Sequence, residues 1–347
     1  MRAVSVRRKF MRRISRVALS GALTSFLPVV GKTCARFLLA AVFLIALTPS
    51  RSWACACGCG VFEVGTASLF PRSGGGTVWL EYDYQDQYLN WHATHIASSG
   101  ANGDRVLRTH FLTLGAQYMF NRKWGLMLEV PYDFRYFKSV QDSGQVRGFN
   151  FNTIGDIRIQ GMYTGLSEDM STGLLAGVKV PSGWWTYPHA DRDTQIGTGT
   201  TDLLFGAYHL GTFPSHLGQL PLTFRERPFN WFIQGYYDLP LFTQEHYKVG
   251  REFDGAVGAY YDFGTVGPLK ELAPTLSLIG SDRVRDSQSR ANLQNSGYSR
   301  VMVAPGVEIK LGILRLYGDV EVPFYQNFNG NQVTAPVLFK TILSYDF

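Results

Sequence analysis

The hydrophobic positions of this chain recur at every second residue, nowhere more plainly than at its end. From Val333 to Phe347, one face carries Val333, Ala335, Val337, Phe339, Thr341, Leu343, Tyr345 and Phe347. The other carries Thr334, Lys340, Ser344 and Asp346, with Pro336, Leu338 and Ile342 as apolar exceptions. A period of two marks a strand with two unlike faces, and this stretch is longer than the roughly five or six residues of an ordinary soluble strand. The pattern returns along the chain. It predicts a strand near 77–90, with Val78, Leu80, Tyr82 and Tyr84 opposite Trp79, Glu81, Asp83 and Gln85. A second follows with Leu112, Leu114, Ala116, Tyr118 and Phe120 on one face, then a tight turn at Asn121-Arg122-Lys123. The third sets Trp124, Leu126, Leu128, Val130, Tyr132, Phe134 and Tyr136 against Glu129, Asp133 and Arg135. Further strands are predicted near 153–165, 171–181, 199–212, 229–242, 252–263, 272–283, 298–311, 313–326 and 333–347, about twelve in all.

The second face of these strands is charged. It carries Glu81 and Asp83; Glu129, Asp133 and Arg135; Asp156 and Arg158; Lys179; Asp238; Arg315, Asp319 and Glu321; and Lys340. A soluble sandwich would turn that face to water and bury the apolar one against a second sheet. A barrel in lipid does the reverse, with apolar residues outward and a polar interior. The expected fold is therefore all-β, a transmembrane antiparallel β-barrel of about twelve strands spanning 77–347. Short connections near 121–123, 166–170, 264–271 and 312 alternate with longer ones near 90–106, 138–152, 182–198, 243–251, 284–297 and 327–332. That asymmetry fits short periplasmic turns, longer external loops and both termini on the periplasmic side. The Pro-containing segment 213–228 departs from it. The aromatic carboxyl terminus, with Tyr345 two residues earlier, resembles the closing strand that outer-membrane barrels present to the barrel assembly machinery.

Composition agrees once the amino terminus is set apart. A mean hydropathy of −0.05 is what alternating lipid-facing and lumen-facing residues average to. Aromatics at 14% and 37 glycines suit strands joined by many turns. The formal charge of +6 is misleading: residues 1–54 hold ten Lys/Arg and no acid, leaving 23 basic against 27 acidic residues in the remainder. Nucleic acid is thereby excluded as an expected partner. Residues 1–54 read as a signal peptide, with a basic start and the apolar run Phe37 to Leu47, too short to span a bilayer as a helix. An amino-terminal anchor is the alternative. Small residues in Ser52-Trp53-Ala54 allow cleavage before Cys55, and Ala54-Cys55-Ala56 before Cys57.

A Cys/Gly-rich periplasmic segment, 55–76, comes next and opens Cys55-Ala56-Cys57-Gly58-Cys59-Gly60. Three readings stand side by side for Cys55, Cys57 and Cys59. The thiols converge on a soft metal such as Cu(I) or Zn; they form a disulfide or are handled by redox enzymes of an oxidising periplasm; or one is lipidated, although neither cleavage site has a Leu at −3. No other cofactor is expected.

Two internal stretches carry a resemblance. Gly155-Asp156-Ile157-Arg158 is followed by Gly177-Val178-Lys179-Val180-Pro181-Ser182-Gly183, then by Gln195-Ile196-Gly197-Thr198-Gly199-Thr200-Thr201-Asp202. This order, over 150–210, is similar to the outer-membrane family named for the MetA pathway of phenol degradation, with a weaker likeness in Val320-Glu321-Val322-Pro323-Phe324-Tyr325. The resemblance implies a transporter-like barrel and uptake of an aromatic or hydrophobic compound; the cysteine head lies outside it.

Other chemistry is thin. His92 and His95 lack a third ligand nearby, Asp191-Arg192-Asp193 reads as a solvated loop, and Trp184-Trp185 beside Tyr187 reads as an interface anchor more readily than as a clamp for a ring. Gly-x-Ser-x-Gly, HExxH and phosphate-loop motifs are absent, so no enzyme is expected. The expected function is passive passage of a small solute through an outer-membrane barrel, with Glu81, Asp83, Glu129, Asp133, Arg135, Arg158 and Lys179 setting selectivity in the lumen. Two alternatives are a barrel that docks a periplasmic metal- or redox-handling partner through the cysteine head, and a barrel enzyme assembled from separate strands.

Overall fold

A computed structural model describes residues 66–67, 69–71, 73–140, 143–213 and 229–347. Fifteen strands occur among them: β1 (Gly75–Gln87), β2 (Leu89–Ala93), β3 (His95–Ile96), β4 (Asp104–Met119), β5 (Trp124–Val140), β6 (Val146–Ile154), β7 (Ile157–Tyr163), β8 (Thr172–Val180), β9 (Asp202–Thr212), β10 (Phe229–Pro240), β11 (Glu252–Tyr261), β12 (Glu271–Arg283), β13 (Tyr298–Leu311), β14 (Leu314–Thr334) and β15 (Leu338–Asp346). Every pairing between them is antiparallel, and the path from β13 back through β1, β15 and β14 is closed by the β13–β14 ladder. β6 and β7 both pair with β5 and form one wall strand interrupted at Gly155-Asp156. β2 and β3 make a small flap on the far end of β14. The wall is thus a closed, twelve-stranded antiparallel barrel, the architecture expected from the alternation.

Burial alternates along each wall strand in the sense predicted. In β1, Val78, Leu80 and Tyr82 are exposed, while Trp79, Glu81, Asp83 and Gln85 are buried. β5 exposes Trp124, Leu126, Leu128, Tyr132 and Phe134, and buries Asp133 and Arg135. The outward residues form the apolar band that hydrocarbon requires. Aromatic rings gather at the end where β1 begins and β15 finishes: Trp124 meets Tyr163 at 4.6 Å, Phe229 meets Tyr261 at 5.0 Å and Tyr118 meets Phe347 at 6.5 Å. There the first and last wall strands tie together, the Phe347 and Gly76 amides each donating to the other's carbonyl at 2.8 Å.

Two loops predicted from polarity are strands instead. β5 and β6 continue as a ladder from Tyr132↔Ile154 to Val140↔Val146, across most of 138–152. Phe149 and Phe151 alternate there with Asn150 and Asn152, a two-faced pattern that the polar residues disguise. β14 runs on through 327–332 to Thr334, where β2 supplies its partner. Val333 and Ala335 consequently fall short of the last strand's outer face. They are 3% and 0% exposed, and Val333 packs among Leu107, Phe137 and Phe151.

The interior is filled unevenly. Thr66, Ala67, Leu69 and Phe70 lie inside the barrel. Phe70 stacks on Tyr208 with ring centroids 4.0 Å apart, Leu69 packs with Trp79, Tyr317 and Ile342, and the Gln117 side-chain amide donates to the Leu69 carbonyl at 2.7 Å. Trp79 itself lies flat over β4, where a Cβ at Gly115 would come within 2.0 Å of its ring. Only glycine fits under that indole.

Candidate functional site

Between this plug and the opposite rim lies a cavity of about 180 Å³. Leu69, Phe70, Met127, Met162 and Leu175 line its apolar side. Ile196 and Thr198 from the β8–β9 loop, and Val249 and Gly250 from the β10–β11 loop, border it at the other end. Strands β1, β5, β7, β8, β10 and β11 direct charged side chains into the space between.

Of the seven lumen residues expected from sequence, six meet here: Glu81, Asp83, Glu129, Asp133, Arg158 and Lys179 all line the one cavity. The seventh, Arg135, also points inward but serves the loop above. Its Nη1 donates to the carbonyls of Thr194 (2.8 Å) and Gln195 (2.9 Å), and its Nε to Thr109 Oγ1 (3.0 Å).

The charges fall into groups set by strand neighbours. Lys340 on β15 reaches Glu81 Oε1 at 3.3 Å, beside Asp83, Asp319 and Glu321. Lys179 on β8 lies between Asp202 Oδ2 on β9, at 2.6 Å, and Asp238 Oδ2 on β10. A third group joins Ser281 to Asp254 (2.6 Å) and Glu252 (3.0 Å), and the Tyr298 hydroxyl to Glu252 (2.6 Å). Sequence alternation placed Glu81, Asp83, Lys179, Asp238, Asp319, Glu321 and Lys340 among these on the inner face. It could not pair them, because the partners stand on neighbouring or next-but-one strands whose register and order the local pattern does not give.

The motif stretch over 150–210 acquires a physical meaning. Asp156, at the break between β6 and β7, accepts from the Gly183 amide (2.9 Å) through Oδ1, and from the Thr198 amide and hydroxyl (2.7 Å each) through Oδ2. Ser182 Oγ donates to the Gly155 carbonyl at 2.8 Å and accepts from the Ile157 amide at 2.9 Å. Gly183 and Gly197 cross so closely that a Cβ on Gly197 would sit 2.4 Å from the Gly183 carbonyl. The side-chain amide of Gln195 then holds the loop's own turn, donating to the carbonyls of Tyr187 (3.0 Å) and Ala190 (2.9 Å) and accepting from the Tyr187 amide (2.8 Å). These residues are a clasp that turns the β8–β9 loop into the lumen.

Arg192, read from sequence as part of a solvated loop, is turned inward. Its guanidinium lies 5.1 Å from the Trp185 ring and 4.5 Å from that of Tyr247, and Nη2 donates to the Thr198 carbonyl at 2.5 Å. Burial lowers its pKa from the ordinary arginine value. Tyr247 in turn donates to Asp286 Oδ2 at 2.7 Å, so one cation joins both in-turned loops. Trp184 and Trp185 separate: the first meets Tyr187 edge-on at 5.0 Å, the second lies under Arg192. His92 and His95 sit on the β2–β3 flap with rings 5.9 Å apart, and no cluster of three or more potential metal ligands occurs among the described residues. Cys55, Cys57 and Cys59 lie outside the described residues.

No model of a known protein family matches the sequence, and no curated protein matches it either. Solved structures do match the fold. The COG4313 outer membrane channel from Pseudomonas putida F1 superposes with a TM-score of 0.59 at 14% identity, covering 82% of this chain and 100% of that one. The β domain of the Bordetella autotransporter BrkA reaches 0.45 at 13% identity, covering 79% of this chain and 100% of that one. A Pseudomonas aeruginosa FadL homologue reaches 0.38 at 7%, covering 86% and 100%. At such identities the likeness speaks for architecture alone: this chain has the fold of an outer-membrane β-barrel.

Proposed function

We propose that this barrel is a passive outer-membrane conduit for a small solute, driven by the solute's own gradient. The observation that carries this reading is the cavity of about 180 Å³, bounded by Thr66, Leu69 and Phe70 on one side and by the clasped loop on the other. A barrel serving only as a membrane anchor has no need of a lined chamber in its centre. The apolar side formed by Phe70, Met127, Met162 and Leu175 suits the aromatic or hydrophobic body implied by the motif resemblance. Glu81, Asp83, Glu129, Asp133, Arg158 and Lys179 contact the solute, with Arg135 holding the loop above it. Both termini face the periplasm, and the Phe347 strand is the one read by the assembly machinery.

Refolded barrel in planar bilayers and in liposomes tests this reading. It predicts small, discrete currents and release of entrapped small solutes. A correctly folded barrel that neither conducts nor releases solute, even with residues 66–70 deleted, overturns it.

A second reading has one observation in its favour. Thr66 is buried in the lumen, and Cys59 precedes it by seven residues in the sequence. On this reading the cysteine head handles a soft metal or a redox partner. Titration of the mature protein with Cu(I) or Zn, against a variant with Cys55, Cys57 and Cys59 changed to Ser, decides it; equal stoichiometry removes the idea.

A further inference from the structure

Building on the conduit proposed above, we infer that the lumen cavity is a binding site for a small organic cation, a protonated amine carried on an apolar body of about one ring. Three observations converge on that chemistry.

The first is charge. Among the described residues, eight carboxylate side chains line the cavity against three basic ones. All three of those cations have anionic neighbours: Lys179 lies between Asp202 and Asp238, Lys340 beside Glu81, and Arg158 opposite Glu129 and near Asp133. The surplus is negative, and low-dielectric walls concentrate its field on whatever enters. An anion of the same size is repelled.

The second is a pair of carboxylates with capacity to spare. Asp83 and Asp133 are 2% and 5% exposed, both line the cavity, and the Oδ1 atom of each has no hydrogen-bond partner among the described residues. Register places them in one row, Asp83 opposite Phe111 on β4 and Phe111 opposite Asp133 on β5. Two strand spacings separate the acids by roughly 10 Å, with an aromatic ring between them. A protonated amine brings up to three N–H donors and a full positive charge to such a row, and the ring adds cation–π attraction. Backbone or hydroxyl donors satisfy Asp156, Asp254 and Glu252 elsewhere in the cavity, so this row is where a ligand's donors are wanted.

The third is size and polarity. The volume of about 180 Å³ is close to the roughly 150 Å³ of an apolar cavity that takes benzene. Phe70, Met127, Met162 and Leu175 offer an apolar wall for the body of the solute while the carboxylates hold its charged end.

The test uses the full mature barrel in planar bilayers under a KCl gradient, with benzylammonium and benzoate as probes of equal ring and opposite charge. The expected result is a reversal potential that favours K⁺ over Cl⁻, and a K⁺ current blocked by benzylammonium at far lower concentration than by benzoate. The double variant Asp83→Asn/Asp133→Asn weakens that block severalfold, whereas Asp83→Glu/Asp133→Glu keeps it. Heat-modifiable migration on gels confirms that each variant is folded. Equal block by the two probes, stronger block by benzoate, or a double variant that behaves like the parent overturns the inference. If a folded barrel passes no current at all, the conduit reading fails, and calorimetric titration of the detergent-solubilised barrel with the same two probes still decides the inference: tighter benzylammonium binding supports it, equal or absent binding overturns it.

Discussion

Lys179 shows how much a single lumen residue carries. It sits on β8 within contact of Asp202 and Asp238, from the next two strands, and its side chain is 10% exposed. Changing it to Met leaves both carboxylates facing each other with their counter-ion gone. Removing one partner of a buried ion pair costs about 3–5 kcal/mol, because the remaining charge stays desolvated. Lys179→Met is expected to lower the unfolding free energy of the detergent-refolded barrel by that order, read from the fall in its urea midpoint by tryptophan fluorescence. Adding Asp202→Asn should recover part of the loss; a double variant as unstable as the single one would mean the cost is steric. From sequence, Lys179 was recognisable as inward-facing, since it stands at an alternate position between Val178 and Val180. That Asp202 and Asp238 are its partners was not, because they follow it by 23 and 59 residues.

The β8–β9 loop is the element whose behaviour hinges on backbone proximity. Gly183 and Gly197 cross with no room for a methyl group, and the atoms in the way belong to the backbone, so they cannot swing aside. Gly197→Ala should therefore cost about 1–3 kcal/mol of local overpacking and detach the loop from Asp156 without dissolving the wall. The expected readout is faster tryptic cleavage at Arg192 in an otherwise heat-modifiable barrel. Unchanged protection would show that Asp156 and Arg135 hold the loop by themselves. This clasp was partly legible: the order of glycines, Asp156 and Gln195 stood out as a motif, but only as turn chemistry. That these turns fold over the lumen follows from Asp156 reaching residues 27 and 42 positions away. The misread strand ends have a similar origin. Asn150 and Asn152 are the outward half of a two-faced strand projecting past the membrane band, where the outer face is polar and the hydrophobic signal halves.

For the whole molecule, the wall and its contents are separable. Twelve strands enclose more room than the side chains of eight would fill, and the chain uses part of its own amino-terminal stretch to occupy it. The Phe70–Tyr208 stack pins that stretch, and an aromatic pair of this kind is worth about 1 kcal/mol beyond the area it buries. Phe70→Ala should leave the barrel folded and raise its single-channel conductance and open-state noise, as the plug exchanges between seated and released positions. A conductance equal to the parent's would place the constriction at the clasped loop instead.

Alternation alone determined that this chain is a barrel, which face of each strand meets lipid, and that Glu81, Asp83, Glu129, Asp133, Arg135, Arg158 and Lys179 turn inward. A side-chain period of two is a local property of the extended backbone, so neighbouring residues suffice to reveal it. Which charges neutralise each other, which carboxylates keep an oxygen free, and where the loop and the plug bound a chamber were decided by closure of the sheet. Closure brings together strands that are distant along the chain, and no local pattern encodes those distances.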